Sequence, residues 1–178
     1  MITLDGLKVI CPLSKTGRLA LFVEPLSEAM REFEITTPAR ESAFIAQVAH
    51  ESGGFRYVRE LASGEEYDIG EKAKALGNTP EDDGDGERYK GRGLIQISGV
   101  YNYRACGDAL GADFLSRPDL LEEPIYACRS AGWFWKKRGC NELADAGDFY
   151  RISKRINGGL NGIKDRIAYH ERAKTVIT

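Results

Sequence analysis

Apolar side chains recur every three to four residues along most of this 178-residue chain, and that spacing is the signature of amphipathic α-helices. The run from Phe22 to Phe33, for example, predicts one helix over residues 19–34. Further helices are predicted over residues 101–110, 125–137, 149–157 and 163–176. The strand signal is weak and is confined to short pieces near residues 55–60 and 94–97. The sequence therefore predicts a mainly α fold, or an α+β fold with minimal strand.

One further helix carries clear signals at both of its ends. Thr37 followed by Pro38 is typical of an N-cap with proline at the first helical position. The pair Gly53 and Gly54 is a strong signal for the end of a helix. Glu51 is therefore predicted to lie in the last helical turn.

The length and composition are those of one folded domain. Hydrophobic residues make up 42% of the chain and charged residues 29%, values typical of globular proteins and not of disordered ones. Residues 55–88 hold few apolar side chains and many Gly, Asp and Glu, a composition typical of a surface segment. We expect a single domain over residues 1–178, with a small lobe or rim at residues 55–88.

Charge and hydropathy disfavour several classes of protein. The net charge of −2 gives no general nucleic-acid signature. Residues 129–178 nevertheless carry 11 Lys and Arg against 5 Asp and Glu, an excess of +6 that fits a solvated basic face or attraction to an anionic polymer. No apolar run reaches the ~18 residues that a membrane span needs, so no membrane insertion is expected. The N-terminus lacks the pattern of a signal peptide, which predicts a cytoplasmic location unless something else exports the chain.

The 4 cysteines, Cys11, Cys106, Cys128 and Cys140, contain no C-x-x-C pair, which disfavours a zinc site or a thioredoxin-type site. We expect buried free thiols, with a bridge between Cys128 and Cys140 as the less favoured alternative. The sequence thus predicts a protein without metal or cofactor, and we expect a monomer.

Glu51 and Glu60 are the candidate acid and base. The C-terminal end of a helix carries partial negative charge, which favours the protonated form of Glu51, and an apolar neighbour such as Phe55 acts in the same direction. A carboxyl group that keeps its proton near neutral pH is what a glycosidase needs to protonate its leaving oxygen. Glu60 lies beyond the glycine turn, so the chain can fold back and present both carboxyl groups to one substrate. Glu65 and Glu66 are competing candidates for the second role, and ordinary surface charge is the alternative for every one of these residues.

Two neighbouring patterns complete the set of candidate residues. His50 and Glu51 begin like the zinc motif H-E-x-x-H, but Gly54 occupies the position of the second histidine, so His50 is interpreted as packed against the core or a backbone carbonyl. Further along, Gln96 and Ser98 alternate with apolar residues, and Tyr101, Asn102 and Tyr103 follow them. Amide, hydroxyl and aromatic groups suit contacts with a sugar ring and its N-acetyl group.

Four separated motifs resemble those of a known family. They are AHESGGF at residues 49–55, REL at 59–61, YKGRGLIQISGVYNY at 89–103 and INGGLNGIKDRIAYHERA at 156–173. In this order they resemble the family 19 glycoside hydrolases, the plant-type chitinases and their relatives among phage endolysins, over about residues 39–174. The stretches around the first two motifs are more similar to the phage-lysin branch.

The resemblance implies a lysozyme-like, mostly helical fold with two lobes flanking a cleft, and metal-free hydrolysis with inversion at the anomeric carbon. By motif, Glu51 resembles the general acid and Glu60 the general base that activates water. Ser98 resembles the hydroxyl that helps to hold that water.

The same motifs imply a set of substrate contacts. Gln96 and Asn102 resemble substrate-binding polar groups, and Tyr101, which lies between them, is predicted to contribute an aromatic face. Asn157 and Arg166 resemble residues that line the far wall of the cleft.

The resemblance leaves three functions open: a peptidoglycan-cleaving endolysin, a chitinase of the same mechanism, or a non-catalytic glycan-binding homologue. The presence of Glu51, Glu60 and Ser98 argues against the third. The plant enzymes have a longer insertion between the two glutamates, so the short connection here predicts a more open cleft that fits bulky peptidoglycan. No separate wall-binding module is visible. An endolysin would be made in the host cytoplasm and would act on the wall after its release, and this agrees with the absence of a signal peptide.

Overall fold

The computed structural model describes residues 2–178, and its regular structure is helical. The α-helices are, in chain order, α1 (Leu4–Ile10), α2 (Thr16–Ala20), α3 (Val23–Glu32), α4 (Pro38–Glu51), α5 (Gly70–Leu76), α6 (Asp85–Arg88), α7 (Val100–Leu110), α8 (Pro124–Lys137), α9 (Cys140–Asp145), α10 (Phe149–Asn157) and α11 (Ile163–Val176). Two short 3-10 helices cover Glu65–Tyr67 and Pro118–Glu122. The prediction of a mainly α fold is therefore confirmed.

The predicted strand pieces do not form strands within the described residues. They pair only through isolated antiparallel bridges, between Arg59 and Arg92 and between Arg92 and Ile97. These bridges attach residues 57–60 to residues 91–98, and both segments carry candidate site residues.

Helix α4 begins and ends where the sequence predicts. The Thr37 side chain accepts a hydrogen bond from the Arg40 amide at 3.3 Å, and Pro38 occupies the first turn. At the other end, the Gly54 amide donates to the Ala49 carbonyl at 2.7 Å. Both caps satisfy backbone groups that a helix end leaves without an intrahelical partner.

The prediction of one helix over residues 19–34 is wrong, because the chain bends between α2 and α3. The amide of Phe22 bonds to the Leu19 carbonyl at 3.0 Å, which is a tight turn instead of a continuing α-helix. Pro25 is the physical reason, since proline has no amide to donate to the carbonyl four residues before it and its ring crowds that carbonyl. The bend buries the ring of Phe22 against Phe55, with centroids 5.4 Å apart.

The apolar interior consists of two clusters. The larger is centred on α4, α8 and α11 and includes an edge-on contact between Phe44 and Trp135, with ring centroids 5.4 Å apart. The smaller is built from residues 89–121 around Tyr103 and lies downstream of residues 55–88. Segment 91–98 joins the two, because Leu94 belongs to the larger cluster and Ile97 to the smaller. The candidate site residues of this segment therefore lie where the clusters meet.

The four cysteines are free and buried, as the sequence predicted. Burial raises the pKa of Cys11 and Cys106 to about 12. Over residues 2–178, no helix combines the length and the apolarity that crossing a membrane requires.

Candidate active site

Glu51 is the last residue of α4, and its carboxylate is held by a buried arginine. Arg166, near the start of α11, donates from Nη2 to Glu51 Oε1 at 2.5 Å. The Arg166 side chain is 1% exposed and that of Glu51 is 24% exposed. The carboxylate therefore faces solvent on one side and a fixed cation on the other.

Arg166 is itself fixed by partners behind it. Its Nη1 donates to the side-chain oxygen of Gln47, and its Nε donates to the Asn161 carbonyl at 3.2 Å. Gln47 is fully buried and donates in turn to Ser153 Oγ at 2.8 Å. A continuous chain of buried hydrogen bonds thus connects α10, α4 and α11 and ends at Glu51.

His50 makes a second link between the same two helices. Its Nδ1 pairs with Asp165 Oδ2 at 2.6 Å, so the partner of His50 is a carboxylate, whereas we predicted packing against the core or a backbone carbonyl. The ring also lies directly over Gly162, where an added Cβ would come within 2.3 Å of the ring. Only glycine leaves room there, and the contact brings the start of α11 close to Glu51.

The turn after Glu51 is held by its own polar groups. Ser52 Oγ donates to the Val48 carbonyl at 2.7 Å and accepts from the Phe55 amide at 2.8 Å. Phe55 has a positive φ of 64°, an uncommon conformation for a bulky residue, and its side chain is fully buried. The buried ring anchors the turn that leads from Glu51 towards Glu60.

Glu60 is fixed by two donors, one on each oxygen. The Tyr67 hydroxyl donates to Oε1 at 2.9 Å, and the Gly91 amide donates to Oε2 at 3.1 Å. The backbone of Glu60 also pairs with Gly91, through a 2.8 Å bond from the Glu60 amide to the Gly91 carbonyl. Burial raises the pKa of Tyr67, and the adjacent Glu60 carboxylate raises it further, so Tyr67 keeps its proton and remains a donor.

The segment that follows Gly91 carries the next group of candidate residues. An added Cβ at Gly91 would come within 3.1 Å of Glu60 Oε2 and of Gln96 Oε1, which places both side chains around this glycine. Gln96 has a positive φ of 55°, a conformation that is often found at functional sites. Ser98 Oγ donates to the Gln96 carbonyl at 3.1 Å, and the Asn102 side chain donates to the Ser98 carbonyl at 2.8 Å.

The Arg92 side chain fixes segment 91–98 to neighbouring residues through three hydrogen bonds. It donates to Glu122 Oε1 at 2.9 Å, to the Arg88 carbonyl at 2.6 Å and to the Tyr103 hydroxyl at 2.9 Å. Burial raises the pKa of Tyr103 to about 12, and Arg92 opposes that rise. The Tyr103 hydroxyl therefore stays protonated and donates to the Lys90 carbonyl at 2.6 Å.

The remaining predicted residues differ in their exposure. Tyr101 is 60% exposed, and its ring covers Gly77 of the segment after α5. Asn157 is exposed at the end of α10. Arg166 does not line an open wall as predicted, because it is buried behind Glu51, so it can orient the carboxylate but cannot cover a sugar.

Sequence reasoning missed Gln47 and Tyr67. Gln47 lies one helical turn before Glu51, between the apolar residues Phe44 and Val48. A lone amide on a buried helix face is a signal that could have identified it, since a buried polar group needs a partner. Tyr67 gives no comparable signal, because its segment has no helical periodicity.

Sequence comparisons connect the chain with known enzymes. A sequence model of glycoside hydrolase family 19, described as Chitinase class I, matches residues 31–144. A glycosyl hydrolase family 19 domain-containing protein from Haemophilus influenzae is 35% identical over 153 residues, which cover 71% of this chain and 74% of that protein. An endochitinase from Arabidopsis thaliana is 36% identical over 135 residues, which cover 75% of this chain and 44% of the plant protein. The chain thus spans less than half of that plant enzyme.

Solved structures share the fold. Chitinase C from Streptomyces griseus superposes with a TM-score of 0.78 at 23% identity, covering 99% of this chain and 76% of the other. A class IV chitinase from Zea mays gives a TM-score of 0.74 at 23% identity, covering 99% and 92%.

The helical fold is that of a chitinase-like glycoside hydrolase with a lysozyme-like architecture. More specifically, the chain belongs to glycoside hydrolase family 19.

Proposed function

We propose that the protein is an endolysin that cleaves the β-1,4 bonds of bacterial peptidoglycan with inversion, using Glu51 as the acid and Glu60 as the base. The observation that carries this mechanism is the difference between the two carboxylates. Glu51 has one guanidinium partner and a solvent-facing side, whereas Glu60 accepts hydrogen bonds on both oxygens. Because Arg166 contacts only Oε1 of Glu51, Oε2 can carry the proton for the leaving oxygen, whereas donors already hold both oxygens of Glu60.

Glu51 donates its proton to the leaving glycosidic oxygen. The C–O bond to the leaving sugar breaks with its electron pair on that oxygen, and Glu51 becomes a carboxylate. Arg166 already lies against Oε1, so the new negative charge forms beside a fixed positive charge. Such preorganised stabilisation lowers the barrier without any movement of the protein.

Glu60 takes a proton from the water that attacks the anomeric carbon from the opposite face. The Gly91 amide and the Tyr67 hydroxyl hold the carboxylate in place and leave lone pairs on its oxygens for that water. The Ser98 hydroxyl donates to the Gln96 carbonyl, so Ser98 Oγ can accept a hydrogen bond from the same water. Gln96, Asn102, Tyr101 and Asn157 are proposed as contacts to the sugars on either side.

Peptidoglycan is the proposed substrate because it is anionic and bulky. The +6 excess over residues 129–178 favours a negatively charged polymer. The two glutamates are joined by a short turn, which leaves space for peptide branches. We propose that the protein reaches this wall from the host cytoplasm after release.

Chitinase activity is the second candidate, since the plant and Streptomyces relatives are named chitinases. The two functions are separated by incubating the protein with purified murein and with chitin oligomers and measuring new reducing ends. We expect faster cleavage of murein, and identification of the reducing-end sugar will show which of its two glycosidic bonds is cut. Cleavage of chitin oligomers with intact murein would reject the endolysin proposal in favour of a chitinase.

A further inference from the structure

A cationic pocket lies beside the turn that joins the two glutamates. It has a volume of about 350 Å³ and is lined by Ser14, Lys15, Arg18, Gly54 and Arg56. Three of these residues are cations, and they come from two separate segments, the start of α2 and the turn after α4. None of them belongs to the catalytic residues described above.

The three cations have no carboxylate partner among residues 2–178. Arg18 donates from Nε to the Phe55 carbonyl at 2.8 Å, and that bond fixes its guanidinium in the pocket. Lys15 and Arg56 are exposed and form no ion pair with any described acid. Elsewhere in the described structure some arginines pair with an Asp or Glu, such as Arg40 and Arg129, while others bond only to carbonyls, such as Arg88, so the feature that distinguishes the pocket is the grouping of three cations. A group of unpaired cations around a concave surface is a site for an anion.

The pocket is close to Glu51 along the chain. Gly54 follows Glu51 by three residues, so their Cα atoms lie within about 11 Å of each other. Ser14 Oγ donates to the Gly54 carbonyl at 2.8 Å, which connects the segment before α2 to the turn after Glu51. An extended peptide of four residues spans up to about 13 Å, so a peptide branch on a sugar at Glu51 is long enough to cover that separation.

We propose that this pocket binds carboxylate groups of the peptides that peptidoglycan carries on alternate sugars, and that it thereby selects peptide-substituted glycan over neutral chitin. The inference rests on the proposed function, because it names the part of the substrate that the site beside Glu51 recognises. Arginine forks match the geometry of carboxylates, and the charges of the pocket have no counterpart in chitin, which has no acidic groups.

The test compares three proteins in a Glu51→Gln background, which prevents turnover. The first has no further change, the second carries Lys15→Gln and Arg56→Gln, and the third carries Lys137→Gln and Lys154→Gln as a control of equal charge on the basic C-terminal part. Arg18 is left intact because it supports the backbone at Phe55. Calorimetry measures binding of a GlcNAc–MurNAc disaccharide that carries a tetrapeptide, of the same compound with amidated carboxyl groups, of the peptide-free disaccharide, and of a neutral chitin tetramer.

We expect the pocket variant to bind the peptide-carrying disaccharide about three- to tenfold more weakly than the control, a loss typical of two partly exposed ion pairs. The amidated compound and the chitin tetramer should bind equally to all three proteins. The proposal is overturned if the control loses as much affinity as the pocket variant, if the chitin tetramer is affected equally, or if no ligand distinguishes the proteins. An equal loss with the peptide-free disaccharide would assign the pocket to the lactyl carboxylate and would also overturn it.

Murein cleavage by the wild-type protein distinguishes a failure of this inference from a failure of the proposed function. If the wild-type protein does not cleave murein, the endolysin proposal fails whatever the pocket binds. If it cleaves murein and the pocket variant binds like the control, only the inference about the pocket fails.

Discussion

Arg166 contacts Glu51 from a fully buried position, with 2.5 Å between Nη2 and Oε1. A buried arginine that touches a half-buried carboxylate fixes the direction of that carboxylate, because the guanidinium is planar and its donors have a fixed geometry. The same arginine is bound to Gln47 on the preceding turn of α4. Gln47 and Glu51 both lie on α4, so α4 orients the Glu51 carboxylate indirectly, through Arg166 of α11.

Replacement of Glu51 by Gln should abolish cleavage while the fold is retained. The amide is the same size as the carboxyl group and can still accept from Arg166, but it cannot donate the proton that the leaving oxygen needs. We expect a loss of at least about 10²–10⁴ in kcat, measured as release of reducing ends, with an unchanged circular dichroism spectrum. Glu28→Gln, at an exposed position of α3, is the matched control and should keep full activity. A folded Glu51→Gln protein that still turns over substrate would reject the assigned role.

Replacement of Glu60 by Gln should also reduce kcat by about 10²–10⁴, since an amide is too weak a base to activate water. Glu65→Gln and Glu66→Gln are the comparison, because both residues are exposed and Glu66 forms an ion pair with Lys72. They should change the rate by less than about twofold. If either of them removes activity while Glu60→Gln does not, the base has been assigned to the wrong residue.

Gln47→Leu tests whether the buried chain of hydrogen bonds positions Glu51. The change leaves an Arg166 N–H without its acceptor, while Ser153 Oγ loses a donor but keeps its own bond to the Phe149 carbonyl. The unpaired buried N–H should cost about 1–3 kcal/mol of stability. A displaced Arg166 should also lower kcat about tenfold to hundredfold, with little change in KM. Both constants are measured well below the melting temperature, with Ser42→Ala on the same helix as the control. A Gln47→Leu protein that is less stable but keeps its kcat would show that Gln47 has only a structural role.

Stability should decrease when the pH falls below about 6.5, the ordinary pKa of histidine, and His170 should account for part of this decrease. Burial lowers the pKa of His170, and Lys174 lowers it further. The unfolded chain therefore binds a proton at a higher pH than the folded one does, so acidification favours unfolding. His170 stacks on Phe149, with ring centroids 4.2 Å apart, and His170→Phe should keep this contact while removing the titration. Thermal unfolding from pH 7.5 to pH 5.5 checks this, and an equal decrease in both proteins would contradict the assignment.

The sequence predicted the long helices because their apolar faces repeat several times and their ends carry local signals. Helix α4 is the clearest case, since Thr37, Pro38 and the two following glycines fix its limits. The break between α2 and α3 was missed because the apolar repeat continues through it, although Pro25 marks it. The short helices α1, α5, α6 and α9 contain too few turns for a repeat to be visible.

Sequence motifs named the candidate site residues one by one but gave no information on how the fold connects them. Glu51, Glu60 and Ser98 come from motifs that lie within short segments. The role of Arg166 depends on α11 packing against α4, a contact between residues more than a hundred positions apart, and no local pattern reports such a contact. Gln47 and Tyr67 were missed for the same reason. Gln47 acts through Arg166 and Tyr67 through Glu60, and only the fold shows these contacts.

The anomeric configuration of the first product tests the central claim most directly. Proton donation by Glu51 with water activated by Glu60 on the opposite face inverts the anomeric carbon. Proton NMR during the first minutes of cleavage of a soluble β-1,4-linked oligosaccharide, before mutarotation, should therefore show the new reducing end as the α-anomer. Initial formation of the β-anomer would mean that configuration is retained, and would contradict the proposed roles of both glutamates.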